Sequence, residues 1–227
     1  MSQQPQPSHE RRSFFTRLNA GAASLAAFAV GGVALAKEKS PASARFEPAH
    51  HEKDDWLDKL PGKHRLIFDT TSAQGVADAL LFTNNFLRVN KTEYGVDNKD
   101  LAVVIVVRHR STPFGYNDAM WAKYGAPFAG RAQFVDPKTK QPPTGNVYAH
   151  GEALSLETFS KLGVQLAVCA NASRAYATGA AEATGASVDA VFAEITSNLV
   201  VPTARMVPAG IITVTRAQEK GYSLVTT

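Results

Sequence analysis

The chain contains a single cysteine, Cys169, in the stretch QLAVCANASRA. It ends a predicted strand, VQLAVCA (164–170), and precedes a predicted helix that begins near Ser173. A thiol at a helix N-terminus faces unpaired N–H groups that stabilise the thiolate, which is its reactive form. A free cysteine on a core strand is also commonly a small, inert, buried hydrophobic residue. Cys169 is therefore a candidate reactive thiol, with inert burial as the alternative.

A cationic group follows another predicted strand, LAVVIVV (101–107), where the chain continues as Arg108, His109 and Arg110. These side chains, or Arg174, could stabilise a thiolate or an anionic ligand beside it. Of the two arginines that flank His109, we expect at most one to face a crevice and the other to face solvent. His109 could instead hydrogen-bond the backbone of the following STPFG turn.

These candidates meet at one edge if the sheet is parallel, because ligands of open α/β sheets bind outside the carboxyl ends of the strands. Three polar residues end or follow the first predicted strand, HRLIFDT (64–70): Asp69, Thr70 and Thr71. If that strand lies between the other two, Cys169 and His109 are two strand spacings apart, about 10 Å, which suits a bridging ligand. Asn171 is a further binding candidate, although Asn171 and Ser173 could equally be turn or capping residues.

No metal site and no cofactor are predicted. His50 and His51 are adjacent, but no Cys or acidic residue lies at ligand spacing from them. A metal or haem site that uses these two, His109 or His150 is a third possibility, again without ligand spacing. The chain has no GxGxxG, phosphate-loop, GxSxG or CxxC motif, so nucleotide-binding, serine-hydrolase and thioredoxin-type functions lose support.

The elements that must position these residues alternate between strand-like and helix-like from Lys63 onward. Two more strands are predicted at 204–209 and 222–227, and helices after Ser72 and over 117–125, 155–163 and 187–200. The segment GIITVTRAQEKG is rich in β-branched residues, but a helix suits the alternation better. We expect an α/β fold with a parallel five-stranded sheet sandwiched by helices, a three-layer arrangement of the flavodoxin-like type.

One segment breaks this alternation, APFAGRAQFVDPKTKQPPTGNVYAHG (126–151), which contains four prolines. A connection of this length without an obvious helix is usually functional, as a lid or as an arm that reaches a neighbouring subunit. Its stretches QFV and NVYA could pair as a small hairpin.

The first 36 residues resemble a twin-arginine export signal, because Arg11 and Arg12 precede Ser-Phe-Phe and a Gly/Ala-rich apolar run that ends in ALA. Glu10 and Thr16 depart from that pattern, and an uncleaved anchor or an ordinary secretory signal are the alternatives. The signal predicts a periplasmic protein that folds before export and has no membrane contact after cleavage. Residues 37–62 then form a linker that leads into one short helix.

Composition is that of an ordinary globular domain, with 44% hydrophobic and 19% charged residues. The formal net charge is only +4, with no clustered basic face evident, so nucleic-acid binding is not expected.

Residues 63–227 resemble the DsrE/DsrF-like family, whose members adopt the sulfur-relay fold. The resemblance rests on the strand that ends in cysteine within LAVCANASRA and on the closing pattern MVPAGIITVTRAQEKGYSLV. It implies a small α/β subunit that forms homo-oligomers, and a cysteine at position 169 that carries sulfur as a persulfide. The export signal and the insertion at 126–151 depart from the small cytoplasmic relay proteins of this family.

The leading hypothesis is an exported DsrE-like protein that binds or carries a sulfur species through Cys169 and exchanges it with a donor or acceptor protein. His109 and a neighbouring arginine would stabilise the thiolate or the ligand. The second hypothesis is a non-catalytic oligomeric binding or assembly module in which Cys169 is buried and structural.

Overall fold

The run LAVVIVV forms strand β2 (Leu101–Val107), and all seven of its side chains are buried because helices cover both of its faces. Four more strands pair with it in one fully parallel sheet of the order β4-β3-β2-β1-β5. They are β1 (His64–Thr70), β3 (Gln165–Cys169), β4 (Ala204–Val207) and β5 (Ser223–Thr226). This computed structural model describes residues 46–227, and the predicted α/β fold with a parallel five-stranded sheet is confirmed.

Seven α-helices surround the sheet within the described residues. They are α1 (Asp55–Asp58), α2 (Ala73–Tyr94), α3 (Asp118–Ala132), α4 (Leu156–Lys161), α5 (Ala170–Thr184), α6 (Val188–Ser197) and α7 (Gly210–Glu219). Three 3-10 helices span Glu52–Asp54, Asn98–Asp100 and His109–Gly115.

Alternation along the strands separates two cores, one on each face of the sheet. Phe68, Ile105 and Val168 share the larger core with helices α2 to α6. On the opposite face, Ile67 and Val106 pack with α1 and α7. Each fully buried Val, Ile or Phe stabilises the fold by roughly 1.5–3 kcal/mol relative to exposure.

Helix starts follow the polar residues that precede them. Ser72, Asn117, Ser155 and Ser187 each accept a hydrogen bond from a backbone N–H in the first turn of the next helix. The segment beginning at Gly210 is helical, as predicted, despite its β-branched residues.

Helix α3 is longer than predicted, because it continues past Gly125 to Ala132 and includes Pro127. Gly125 does not end the helix. It allows a close approach, since an ideal Cβ on this residue would lie 2.1 Å from the carbonyl oxygen of Pro143. The helix therefore takes up the beginning of the segment at 126–151.

The rest of that segment packs against its own chain through turns. The predicted pairing of QFV with NVYA is wrong, because residues 133–154 contain no strand. Asn146 is buried and its side-chain amide donates to the carbonyl oxygens of Phe114 and Tyr116, at 2.8 and 2.7 Å. Tyr148 donates its hydroxyl to the carbonyl of Ala73 at 2.8 Å.

Candidate functional site

The carboxyl ends of β1, β2 and β3 lie side by side at one edge of the sheet, with β2 in the middle. The expectation that β1 separates the other two strands is wrong. Cys169 is the last residue of β3, and His109 follows β2. These two strands are direct neighbours, about 4.8 Å apart, with no third strand between them.

Cys169 ends β3 and caps helix α5, which begins at Ala170, three residues before the predicted start. Its Sγ accepts the backbone N–H of Ala172 at 3.4 Å, and the hydroxyl of Ser173 donates to its carbonyl oxygen at 2.8 Å. The cysteine is only 6% exposed. The sulfur thus lies at the positive end of a 15-residue helix, in a residue that is almost fully buried.

Arg108 is paired with a carboxylate from the neighbouring strand. Its Nε and Nη2 donate to the two carboxylate oxygens of Asp69, at 2.6 and 2.7 Å, a bidentate ion pair. This hydrogen bonding raises the pKa of Arg108, while the partial burial of the guanidinium opposes the rise. Gly210 lies directly against this arginine, because a Cβ there would be 2.8 Å from the Arg108 Cβ. Arg108 is therefore held by Asp69 and, with its side chain 25% exposed, only partly solvated.

His109 adopts a left-handed backbone conformation with φ of 57°, which is uncommon for a residue other than glycine. Its ring is exposed and, among residues 46–227, has no hydrogen-bond partner. The turn that follows is held instead by Ser111, whose Oγ accepts from the Arg108 N–H and donates to the carbonyl oxygen of Thr70. His109 is thus left available to a ligand.

His109 and Arg110 line a cavity of about 210 Å³ above the ends of β2 and β3, here called the basic cleft. Its lining residues are His109, Arg110, Arg131, Gln133, Ala172 and Tyr176. Gln133 also has a left-handed backbone, with φ of 53°, because it caps the C-terminus of α3.

Tyr176 contacts two arginines of the basic cleft. Its hydroxyl donates to the carbonyl oxygen of Arg110 at 3.3 Å, and the guanidinium of Arg131 lies 5.4 Å from the centre of its ring. Burial raises the pKa of Tyr176, while the nearby charges of Arg131 and Arg110 oppose that rise. In the described part of the chain, neither arginine forms an ion pair with a carboxylate. The cleft therefore concentrates positive charge.

A second cavity, of about 370 Å³, adjoins the basic cleft and shares Arg110 and Gln133 with it. We call it the apolar recess, because Phe134, Val135, Pro137 and Tyr148 form most of one wall. Its other wall is the start of α2, with Ser72, Ala73 and Gln74. The basic cleft and the apolar recess together form one groove along the carboxyl edge.

Asn171 lies outside this groove. Its side chain is exposed, and its backbone N–H donates to the carbonyl oxygen of Pro208 at 3.2 Å, on the β4 side of Cys169. Three polar residues that line the basic cleft were not among the predicted site residues: Arg131, Gln133 and Tyr176. The only signal for the first two was the irregular segment at 126–151, in which they lie.

The other three histidines that the sequence offered as metal ligands, His50, His51 and His150, contact charged residues. His50 contacts Asp55, His51 contacts Arg216, and His150 lies between Asp118 and Glu157. Hydrogen bonds to Glu157 and then Asp118 raise the pKa of His150. Residues 46–227 contain no group of His, Cys, Asp and Glu side chains able to hold a metal ion.

The predicted signal at 1–36 and the first part of the predicted linker lie outside the described residues. Within 46–227, no helix has the length and apolar character needed to cross a bilayer. The later part of the linker includes the predicted short helix, α1, where Leu57 is fully buried and its carbonyl accepts the Tyr222 hydroxyl.

Comparisons with known proteins give the chain no family. No family model and no curated protein matches it. A solved structure of a protein of unknown function from Methanobacterium thermoautotrophicum is similar over 73% of this chain and 100% of its own, with 14% sequence identity and a TM-score of 0.37.

Proposed function

We propose that this chain is an exported, DsrE-like protein that binds or carries a sulfur species through Cys169. The observation that carries the proposal is the hydrogen bond from the Ala172 N–H to Cys169 Sγ at the start of α5. A helix N-terminus stabilises negative charge on sulfur, and the thiolate is the form that attacks sulfane sulfur. The basic cleft beside Ala172 would attract the anionic sulfur donor.

The proposed step transfers one sulfur atom. The Cys169 thiolate attacks the outer sulfur of thiosulfate, a new S–S bond forms at the cysteine, and the original S–S bond breaks. Sulfite leaves with the electron pair of that bond. The cysteine persulfide then holds one sulfur and one negative charge, so atoms and charge balance without any oxidant or reductant.

Mass spectrometry tests this proposal. After exposure to thiosulfate or polysulfide, the intact wild-type protein should gain the mass of one sulfur atom, which a reductant removes. The Cys169→Ser variant should gain none, and it is a clean control because the chain has no other cysteine. The proposal fails if the folded wild-type protein gains no sulfur, or if the variant gains as much.

The burial of Cys169 favours a second candidate, an oligomeric binding or assembly module in which the thiol is structural. At 6% exposure, the side chain resembles an ordinary buried cysteine. Alkylation separates the two functions. A thiol that reacts with iodoacetamide in the native protein supports sulfur carriage, whereas one that reacts only after unfolding, in a protein that sediments as an oligomer, supports the module.

A further inference from the structure

The groove combines two chemically different ends. Arg110 and Gln133 lie at the junction, between the cationic side chains of the basic cleft and the apolar wall formed by Phe134 and Val135. Cavities of about 210 and 370 Å³ meet there, which matches the size of pockets that hold small organic molecules, about 300–1,000 Å³.

The basic end is suited to an oxoanion. Arg110 and Arg131 line the same cleft, and Tyr176 contacts both residues: its hydroxyl donates to the backbone carbonyl oxygen of Arg110, and its ring lies 5.4 Å from the guanidinium of Arg131. Guanidinium groups present paired donors that match the oxygens of carboxylate, sulfonate or phosphate. Since no carboxylate within 46–227 pairs with either arginine, an incoming anion would relieve the repulsion between two like charges.

Two residues of the basic cleft have an uncommon backbone conformation. The three residues of the described chain with a positive φ, glycines aside, are His109, Gln133 and Lys140, and the first two both line the basic cleft. Such conformations cost free energy and cluster at ligand sites.

We propose that the groove binds a small organic anion, with its oxoanion group on Arg110 and Arg131 and its apolar body in the recess formed by Phe134, Val135 and Tyr148. This site goes beyond sulfur carriage, because it requires no reaction at Cys169. Inorganic oxoanions would occupy only the basic cleft and bind more weakly.

Equilibrium dialysis with 1-naphthalenesulfonate tests the site on the full chain. Binding should be saturable, and sulfate should displace the probe. The neutral analogue 1-naphthalenemethanol should bind much more weakly. Arg110→Gln and Arg131→Gln should each weaken binding about tenfold or more, because each removes a charge-assisted contact.

Two further variants make the test specific. Arg88→Gln changes net charge equally, but Arg88 is exposed near the opposite end of α2, about 22 Å along that helix from the groove, so binding should be unchanged. Val135→Ser, at a side chain 53% exposed, should weaken binding of the naphthalene probe about threefold and leave sulfate binding unaltered.

Three results would overturn the proposal: no saturable binding of the probe, equal losses in the Arg88 and Arg110 variants, or binding of the neutral analogue as strong as that of the sulfonate. Circular dichroism confirms that each variant is folded. A Cys169→Ser protein that still binds the probe keeps this site independent of sulfur carriage, and loss of binding in that variant would contradict that independence.

Discussion

Arg108 and Arg110 lie two positions apart at the same edge of the sheet, but their surroundings are opposite. Arg108 is 25% exposed, and its charge is neutralised by the bidentate contact with Asp69. Arg110 is exposed in the basic cleft, with no carboxylate partner in the described chain. The first arginine stabilises the fold beneath α7, whereas the second is available to a ligand.

The left-handed turn at His109 separates these two environments. The alternation of side-chain direction along β2 stops at His109. Arg108 therefore lies on the same face of the sheet as Val106, whereas Arg110 lies beside α5. One strained residue thus separates an arginine that is held in an ion pair from one that has no carboxylate partner in residues 46–227.

The largest expected effect on stability comes from breaking the ion pair between Asp69 and Arg108. Asp69→Ala leaves the Arg108 guanidinium without its partner, and we expect a loss of about 2–3 kcal/mol in the free energy of unfolding, measured with urea. The figure is below that for a fully buried pair because Arg108 is partly exposed. Arg110→Ala is the matched control, with an expected change within about 0.5 kcal/mol. Equal losses of stability in the two variants would contradict the conclusion that Arg108 stabilises the fold and Arg110 does not.

A second prediction concerns the packing that surrounds Arg108. In Gly210→Ala, the new methyl group would lie 2.8 Å from the Arg108 Cβ and 2.9 Å from a Val106 methyl. Overpacking of this kind should cost about 1–2 kcal/mol. Gly130→Ala in α3, on the cleft side, has no atom within 4 Å of the new methyl group and should instead stabilise the protein by up to about 1 kcal/mol. Thermal unfolding of both variants would show shifts of opposite sign, and shifts of the same sign would be inconsistent with the structure.

The smallest effect belongs to the apolar recess. Tyr148→Phe removes the hydrogen bond to the Ala73 carbonyl and should cost about 1 kcal/mol at neutral pH. Burial raises the pKa of Tyr148 to about 12, above the ordinary value of 10.0. The unfolded chain therefore loses this proton first, and the stability that Tyr148 contributes falls as pH rises from 10 to 12.

Urea unfolding of the wild-type protein and the Tyr148→Phe variant across this pH range checks the sign. The stability difference between them should shrink with rising pH. A difference that grows would mean that the tyrosine ionises more readily in the fold than in the unfolded chain.

Much of the sheet could be predicted from local sequence, but its order could not. The strands at 64–70 and 101–107 have the predicted bounds, because each is an apolar run bounded by polar residues. Strand order depends on how the helices pack over the two faces of the sheet, and no local sequence pattern indicates that packing. For that reason the separation of Cys169 from His109 was wrongly predicted.

Only part of the candidate site could be predicted from the sequence. His109 and Arg110 follow a strand directly, so their place at the carboxyl edge could be predicted. Arg131 and Tyr176 reach the same cleft from α3 and α5, through tertiary packing. Helix α3 was itself obscured, because Gly125 and Pro127 usually indicate a helix end, whereas here the glycine accommodates the Pro143 carbonyl.

That contact also bears on how quickly a ligand could bind. The wall of the apolar recess cannot swing outward as a lid without separating Gly125 from Pro143 and breaking the hydrogen bonds of Asn146 and Tyr148. A ligand would therefore meet a surface that is already formed. Stopped-flow association should be a single phase whose rate rises linearly with ligand concentration, without the plateau of a slow closing step.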